Sequence, residues 1–164
     1  MNTLPVRKRT RLESYSYSQT GAYFTTICAR NKQHLFGSIV GAATCRPHIC
    51  LSEYGNVVNS AIQNIGMIYS SVAVSHYVIM PNHVHMLIEI VKPGRQVAAP
   101  TISTIVGNMK RAVSIQVGEP IWQKSFHDHV IRDQADYHRI AQYIDENPIR
   151  WEEDCYFTKP EDTL

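Results

Sequence analysis

Cysteines at the paired spacing of a zinc site are missing from this sequence. The four present, Cys28, Cys45, Cys50 and Cys155, are scattered and form no CxxC. The stretch CRPHIC brings Cys45, His48 and Cys50 together but lacks the spacing of a structural zinc centre. Free thiols in a reducing compartment are therefore expected. Long apolar runs are missing too: none approaches the roughly 20 residues that a membrane span requires. The N-terminus has no apolar segment of the secretory kind behind its charges, so a cytoplasmic protein without a membrane partner is expected. Neither internal repeats nor low-complexity segments occur. Excess charge of one sign is also scarce, since 16 Lys and Arg against 14 Asp and Glu leave a formal +2. That balance argues against tight non-specific binding of a polyanion. The basic charge is instead concentrated: VRKRTR places Arg7, Lys8, Arg9 and Arg11 in the first dozen residues. Such an arm, over about 1–14, is either solvated or in contact with phosphates.

What is present suits one domain spanning residues 1–164, with a 44% hydrophobic fraction sufficient for a real core. GAYFTTICAR (21–30), rich in aromatic and β-branched residues, reads as a strand. HLFGSIV (34–40) reads as its hairpin partner and HICLS as a short third strand. Ser52 resembles an N-cap, followed by a helix over 53–69 with Val57, Val58, Ala61, Ile62, Ile65 and Ile68 at helical spacing. SVAVSHYVIM (71–80) and HVHMLIEI (83–90) are strands separated by Pro81-Asn82. VKPGRQVAAP reads as a loop. TISTIVGNMKRAVSIQV is a second helix, with Ile102, Ile105, Val106, Met109 and Val113 on one face. IWQKSFHDHVIRD alternates like a strand, and QADYHRIAQYIDEN is a third helix stopped by Asn147-Pro148. Adjacent strands with helices between them predict an α+β fold, helices packed on an antiparallel sheet.

The fifth strand carries the chemistry. Side chains alternate along a strand, so His83, His85, Leu87 and Glu89 share one face, and Val84, Met86, Ile88 and Ile90 the other. The second face is uniformly apolar and belongs to the core. The first presents two imidazoles roughly 6–7 Å apart at Cβ, able to converge on one ion. A bare His-x-His pair also occurs on half-buried strands without a metal; FHDHV places His127 and His129 on one face in the same way. Two histidines, moreover, do not complete a site. The third helix offers Tyr143 and Asn147, four apart and one turn from each other. An Asn carboxamide oxygen beside two imidazoles would suit Mg²⁺ or Mn²⁺. On the same residues, Tyr143 reads equally as a packed aromatic and Asn147 as a helix stop.

Together these motifs resemble a known family. PNHVHML resembles the His-hydrophobe-His (HUH) motif of single-tyrosine transposases of small insertion sequences. IWQKSFHDHVIRDQADYHRIAQYIDENPIRW is similar to the C-terminal half of the REP-associated tyrosine transposases. SYSQTGAYFTTICARNKQHLFG and SHYVIMPNHVHML are similar to the same family, from about Tyr15 to Trp151. The resemblance implies a fold related to the ferredoxin-like and RNA-recognition-motif folds, and a metal-dependent transposase acting on single-stranded or hairpin DNA. It implies that His83, His85 and Asn147 hold a divalent ion, Mg²⁺ or Mn²⁺. It also implies that Tyr143 attacks a phosphodiester, giving a 5′-phosphotyrosine link and a free 3′-OH. Tyr137, six residues earlier on the helix, is the rival nucleophile, but points nearly the opposite way. Lys110, Arg111, Arg132 and the N-terminal arm are candidate phosphate contacts. His127 and His129 fall on a family-typical strand and receive no catalytic role. Family members occur as monomers or homodimers and would sit with the nucleoid. From other classes, a DNA-hairpin-binding protein that has lost catalysis and a small metallohydrolase using the two histidines also fit these residues.

Overall fold

The computed structural model describes residues 20–41, 46–91 and 100–159. Arg7, Lys8, Arg9 and Arg11 of the basic arm, and Cys45, lie outside them. The chain runs β1 (Gly21–Cys28), β2 (Gly37–Val40), β3 (His48–Leu51), α1 (Glu53–Gln63), α2 (Ile65–Ile68), β4 (Val72–Ile79) and β5 (His83–Ile90). It continues with α3 (Ile102–Val117), β6 (His127–Val130) and α4 (Gln134–Glu146).

Four strands form one antiparallel sheet in the order β4-β5-β1-β6. The α+β architecture expected from the element order is what the chain adopts. The long alternating strands β1 and β5 pair in the middle over their whole length, Gly21 opposite Ile90 and Cys28 opposite His83. Two expectations need correction. HLFGSIV does not pair with β1: its Gly37–Val40 part pairs with β3 in a separate two-stranded sheet. The chain turns away after Cys28 through a single helical turn at Arg30–Lys32, which moves the next strand off the main sheet. Of IWQKSFHDHVIRD, strand β6 takes only His127–Val130, with an isolated bridge from Trp122 to Ala29.

Both faces of the sheet are covered. Val84, Met86, Ile88 and Ile90 of β5, with Tyr23 and Ile27 of β1, pack against Val58 and Ile62 of α1 and Ile105, Val106 and Met109 of α3. On the opposite face, Leu87 packs with Ile140, Ala141 and Ile144 of α4, flanked by Phe24 and Val78. The result is three layers, with the sheet between α1–α3 and α4.

Local chemistry sets the helix ends. Ser52 accepts from the Gly55 N–H at 3.1 Å, Thr101 from Thr104, and Asp133 from Asp136, each filling an otherwise orphaned first-turn donor. Gly118 ends α3 in the left-handed region (φ 81°). The helix expected over 53–69 is interrupted at Asn64, beyond which α2 is one short turn. At Gly55 a side chain could not fit, because a Cβ would fall 2.0 Å from the Phe36 carbonyl oxygen. That close approach seats α1 against the strand-to-helix corner.

Candidate active site

His83 and His85 point from β5 toward α4, as alternation requires, and both are buried, at 0% and 1% exposure. Each is oriented through its Nδ1. The His83 nitrogen lies 2.8 Å from Asn82 Oδ1, which can only accept, so His83 carries its proton there. Thr26 Oγ1, directly across the ladder on β1, lies 2.9 Å from His85 Nδ1. Outer partners of this kind aim a histidine at a shared point. The two Nε2 atoms then meet at 2.9 Å. Ring nitrogens that close share either a proton or a cation. The separation also equals that of two nitrogen ligands at right angles on an ion with bonds of about 2.1 Å.

Three further groups close on this pair. Tyr143, on the last turns of α4, places its hydroxyl 3.3 Å from His85 Nε2. Its ring packs at 5.2 Å from the His85 ring, with Phe24 edge-on to it at 6.0 Å. Tyr143 donates to Asp154 Oδ2 at 2.7 Å, and the Asn147 amide donates to the same oxygen at 2.7 Å. The other Asp154 oxygen accepts from the Tyr156 N–H at 2.7 Å. The Asp154 carboxylate is buried, 1% exposed, and its Oδ2 lies 3.9 Å from His85 Nε2. Ligand atoms of His83, His85 and Asp154 all lie within 4.8 Å of one another.

Asp154 is the member the sequence reading missed. It follows Glu152 and Glu153 in an acidic run beyond the helix, where nothing in the pattern singles one carboxylate out. Asn147 joins the group through Asp154: its amide nitrogen donates to the carboxylate, while its carboxamide oxygen is buried and has no hydrogen-bond partner. Two imidazoles and a carboxylate that converge, with an orphaned carboxamide oxygen on the residue that holds the carboxylate, are donors that suit a divalent ion. The residues present therefore fit one.

The electrostatics follow from burial. Loss of solvent pushes both imidazoles below the ordinary histidine range; the neighbouring ring adds to this at His83, and Asp154 opposes it at His85. Burial alone would raise the Asp154 carboxyl. The nearby His85 imidazole and the hydrogen bonds from Asn147, the Tyr156 N–H and Tyr143 overcome this and hold it well below the carboxylate range. Burial, then the adjacent carboxylate, pushes the Tyr143 phenol far up. With Asp154 in this position, Tyr143 keeps its proton. The Cys28 thiol, pushed up to about 11 by burial, is no rival nucleophile.

Other candidates lie elsewhere. Tyr137 gives its hydroxyl to Glu89 at 2.8 Å, toward the far end of β5 from His83. Lys110 is tied to the carbonyls of Gln123 and Lys124 at 2.6 and 3.4 Å. Arg111 and Arg132 are exposed on the surface. His127 and His129 sit opposite Thr26 and Phe24 on β6, and His129 bonds Asp136 of α4 at 2.8 Å. An open cleft of about 400 Å³, lined by Arg139, Gln142, Tyr143, Asn147, Arg150 and Asp154 among others, leads to the hydroxyl.

An uncharacterized protein of Haemophilus influenzae is 34% identical over 169 residues, covering 90% of this chain and 91% of its own length. No protein-family model matches the chain. Among solved structures, a REP-associated tyrosine transposase bound to a REP hairpin superposes with a TM-score of 0.62 at 21% identity. The match covers 93% of this chain and 79% of that one.

Proposed function

This chain belongs to one family with its Haemophilus influenzae relative and has the fold of a REP-associated tyrosine transposase, and we propose that it nicks and joins single-stranded DNA. The observation that carries the proposal is the convergence of the Tyr143 hydroxyl on His85 Nε2 and Asp154 Oδ2, at 3.3 and 2.7 Å. A nucleophile, a set of ion ligands and an open cleft meet at one point.

His83, His85 and Asp154 would hold the divalent ion, Mg²⁺ or Mn²⁺, with Asn147 fastening the carboxylate. When bound, the ion supplies Lewis-acid polarisation of a phosphate oxygen and a fixed orientation for in-line attack. The chain's own residues do the rest. Tyr143 Oη forms a bond to phosphorus while the bond from phosphorus to the 3′ oxygen breaks. The phenol proton has two nearby acceptors, and the departing oxygen takes one up as a 3′-OH. Asp154 cannot serve fully as a ligand and still hold the Tyr143 proton with an unshared charge. Asp154 shared with a cation would oppose deprotonation of the Tyr143 phenol less than the bare carboxylate does. The 5′-phosphotyrosine retains the bond energy, so attack by a 3′-OH rejoins the strand and returns Tyr143. A strand flanked by a hairpin is the proposed partner, by analogy with the solved transposase that holds a REP hairpin.

The test is a labelled hairpin oligonucleotide pool with degenerate single-stranded flanks, incubated with protein and Mn²⁺ and resolved under denaturing conditions. A covalent protein–DNA band that disappears with EDTA and in Tyr143→Phe is expected. Binding without any band would leave a hairpin-binding protein instead. An undiminished band in Tyr143→Phe would remove Tyr143 as the nucleophile.

A further inference from the structure

One helical stripe lines the cleft that opens on the Tyr143 hydroxyl: Arg139, Gln142, Tyr143, Glu146, Asn147 and Arg150. Their spacing of three and four is that of neighbours on a single helix face. The stripe continues past the end of α4, because the Arg150 N–H still donates to the Glu146 carbonyl at 3.2 Å. Position in the chain is therefore position along the cleft. Arg139 stands one turn before Tyr143, about 6 Å along the axis, while Glu146 and Arg150 stand after it.

The two directions away from Tyr143 differ in charge. Toward Arg150 the lining includes Glu146 and Glu153, and Arg150 bonds Glu153 at 2.8 Å. A run of phosphates laid that way meets two carboxylates against one guanidinium, which is unfavourable. Toward Arg139, among the described residues, no carboxylate lines the cleft. The ion-pair partner of Arg139 is Asp136, almost one turn further back, and that carboxylate does not depend on Arg139 alone. Arg139 donates to one of its oxygens, His129 of β6 donates to the other at 2.8 Å, and the Arg132 backbone N–H donates to it as well. Arg139 can thus turn to another anion while Asp136 keeps its remaining bonds. Its present ion pair is exposed and therefore weak, whereas a guanidinium grips a phosphate through two parallel N–H bonds.

We propose that Arg139 is a further substrate-contacting residue, holding the backbone phosphate next to the one that Tyr143 attacks. The strand then leaves the site toward the start of α4 and β6, not over Glu146 and Glu153. This rests on the DNA-nicking reading above and adds a residue and a direction to it. Arg132, exposed beside the same carboxylate, continues the cationic path. A contact to phosphate reads no base, so Arg139 contributes affinity and placement, not sequence choice.

The experiment measures binding of an oligothymidylate strand and of the hairpin pool against salt concentration, for wild type, Arg139→Gln, Arg139→Lys, Arg150→Gln and Asp136→Asn. Loss of one phosphate contact lowers the slope of log K against log salt by about 0.7 for a single strand, which converts to about fivefold weaker binding at about 0.1 M salt. Arg139→Gln should show both changes while melting within about 4 °C of wild type. Arg139→Lys keeps the charge and should keep the slope. Arg150→Gln should bind as wild type does. Asp136→Asn breaks the Arg139 ion pair from its other side but frees the guanidinium, so it should bind at least as tightly as wild type. A loss of affinity shared by Asp136→Asn would make the ion pair itself the cause and overturn the proposal. A loss in Arg150→Gln as large as that in Arg139→Gln would overturn the direction of the strand. Wild-type slope and affinity in Arg139→Gln, alongside a wild type that forms its adduct, would overturn the role of Arg139 alone. A wild type that neither binds nor forms an adduct with any strand would overturn the nicking reading together with it.

Discussion

Replacing Asp154 by asparagine perturbs the site at its most connected point. The carboxylate accepts from Tyr143 and Asn147 on one oxygen and from the Tyr156 N–H on the other, each at 2.7 Å. An asparagine amide has one oxygen for these positions. Whichever way it is turned, its NH₂ faces another N–H or O–H donor. Charge-assisted bonds contribute about 1.5–3 kcal/mol against about 1 for neutral ones, and a buried donor left unpaired costs a further 1–3 kcal/mol. A net loss of about 2–4 kcal/mol follows. For a chain of 164 residues each kcal/mol corresponds to roughly 2–4 °C, so the EDTA-treated variant should melt about 5–15 °C below wild type. Manganese provides the second readout. At a hundred times its dissociation constant a ligand adds about 2.7 kcal/mol to the folded state, equivalent to roughly 5–10 °C here. That gain should be present in wild type and absent from Asp154→Asn at the same concentration. Differential scanning fluorimetry with and without Mn²⁺ measures both. A variant that melts with wild type and gains the same shift from Mn²⁺ would refute the reading of Asp154 as hub and ligand.

Two further outcomes follow from the helix that carries Tyr143. Ile144 is fully buried between α4 and the sheet, so Ile144→Ala should cost about 2–4 kcal/mol in urea unfolding and reduce adduct yield by loosening the neighbouring tyrosine; a cost under about 1 kcal/mol would place the α4 packing elsewhere. Asp136, in the first turn of α4, is held below the ordinary carboxylate range by the His129 hydrogen bond and then by Arg139, against burial. Its folded value is depressed, so its contribution is present above the unfolded value of about 3.9 and is lost as pH falls through the folded one. The exposure of His129 and Arg139 keeps this small, under about 1 kcal/mol. Asp136→Asn should flatten the acid limb of stability against pH measured by circular dichroism, and an unchanged limb would assign the loss to other carboxylates.

How much of this was legible in the sequence depends on whether a residue's role is set by its neighbours along the chain or across it. Alternation along β5 assigns Val84, Met86, Ile88 and Ile90 to one core and His83 and His85 to the other face, because a pleat leaves no freedom once one face is apolar. Ser52 as a cap and Ile102, Ile105, Val106, Met109 and Val113 as the inward face of α3 are local in the same sense. Pairing is not local. Whether HLFGSIV joined β1 or β3 depended on the direction in which Arg30–Lys32 turned the chain, and two residues with positive φ do not announce themselves without glycine.

Asp154 shows the same limit at the site. The helix spacing of Tyr143 and Asn147 made Asn147 the natural third ligand, since both lie on one turn. The chain instead folds back after Trp151, and the short segment beyond it brings a carboxylate to both members of that pair, 3.9 Å from His85. A carboxylate outcompetes a carboxamide for a hard cation and for two hydrogen-bond donors alike. Asn147 then serves by holding Asp154 while its own oxygen remains an unused, buried acceptor beside the cluster. A buried carbonyl without a partner costs about 1–3 kcal/mol, a cost that a cation bound by His83, His85 and Asp154 would offset. The same asparagine can therefore hold the apo site in register and complete it when loaded. Residue type and spacing pointed to Asn147; only the fold-back of the chain brings the Asp154 carboxylate to its amide.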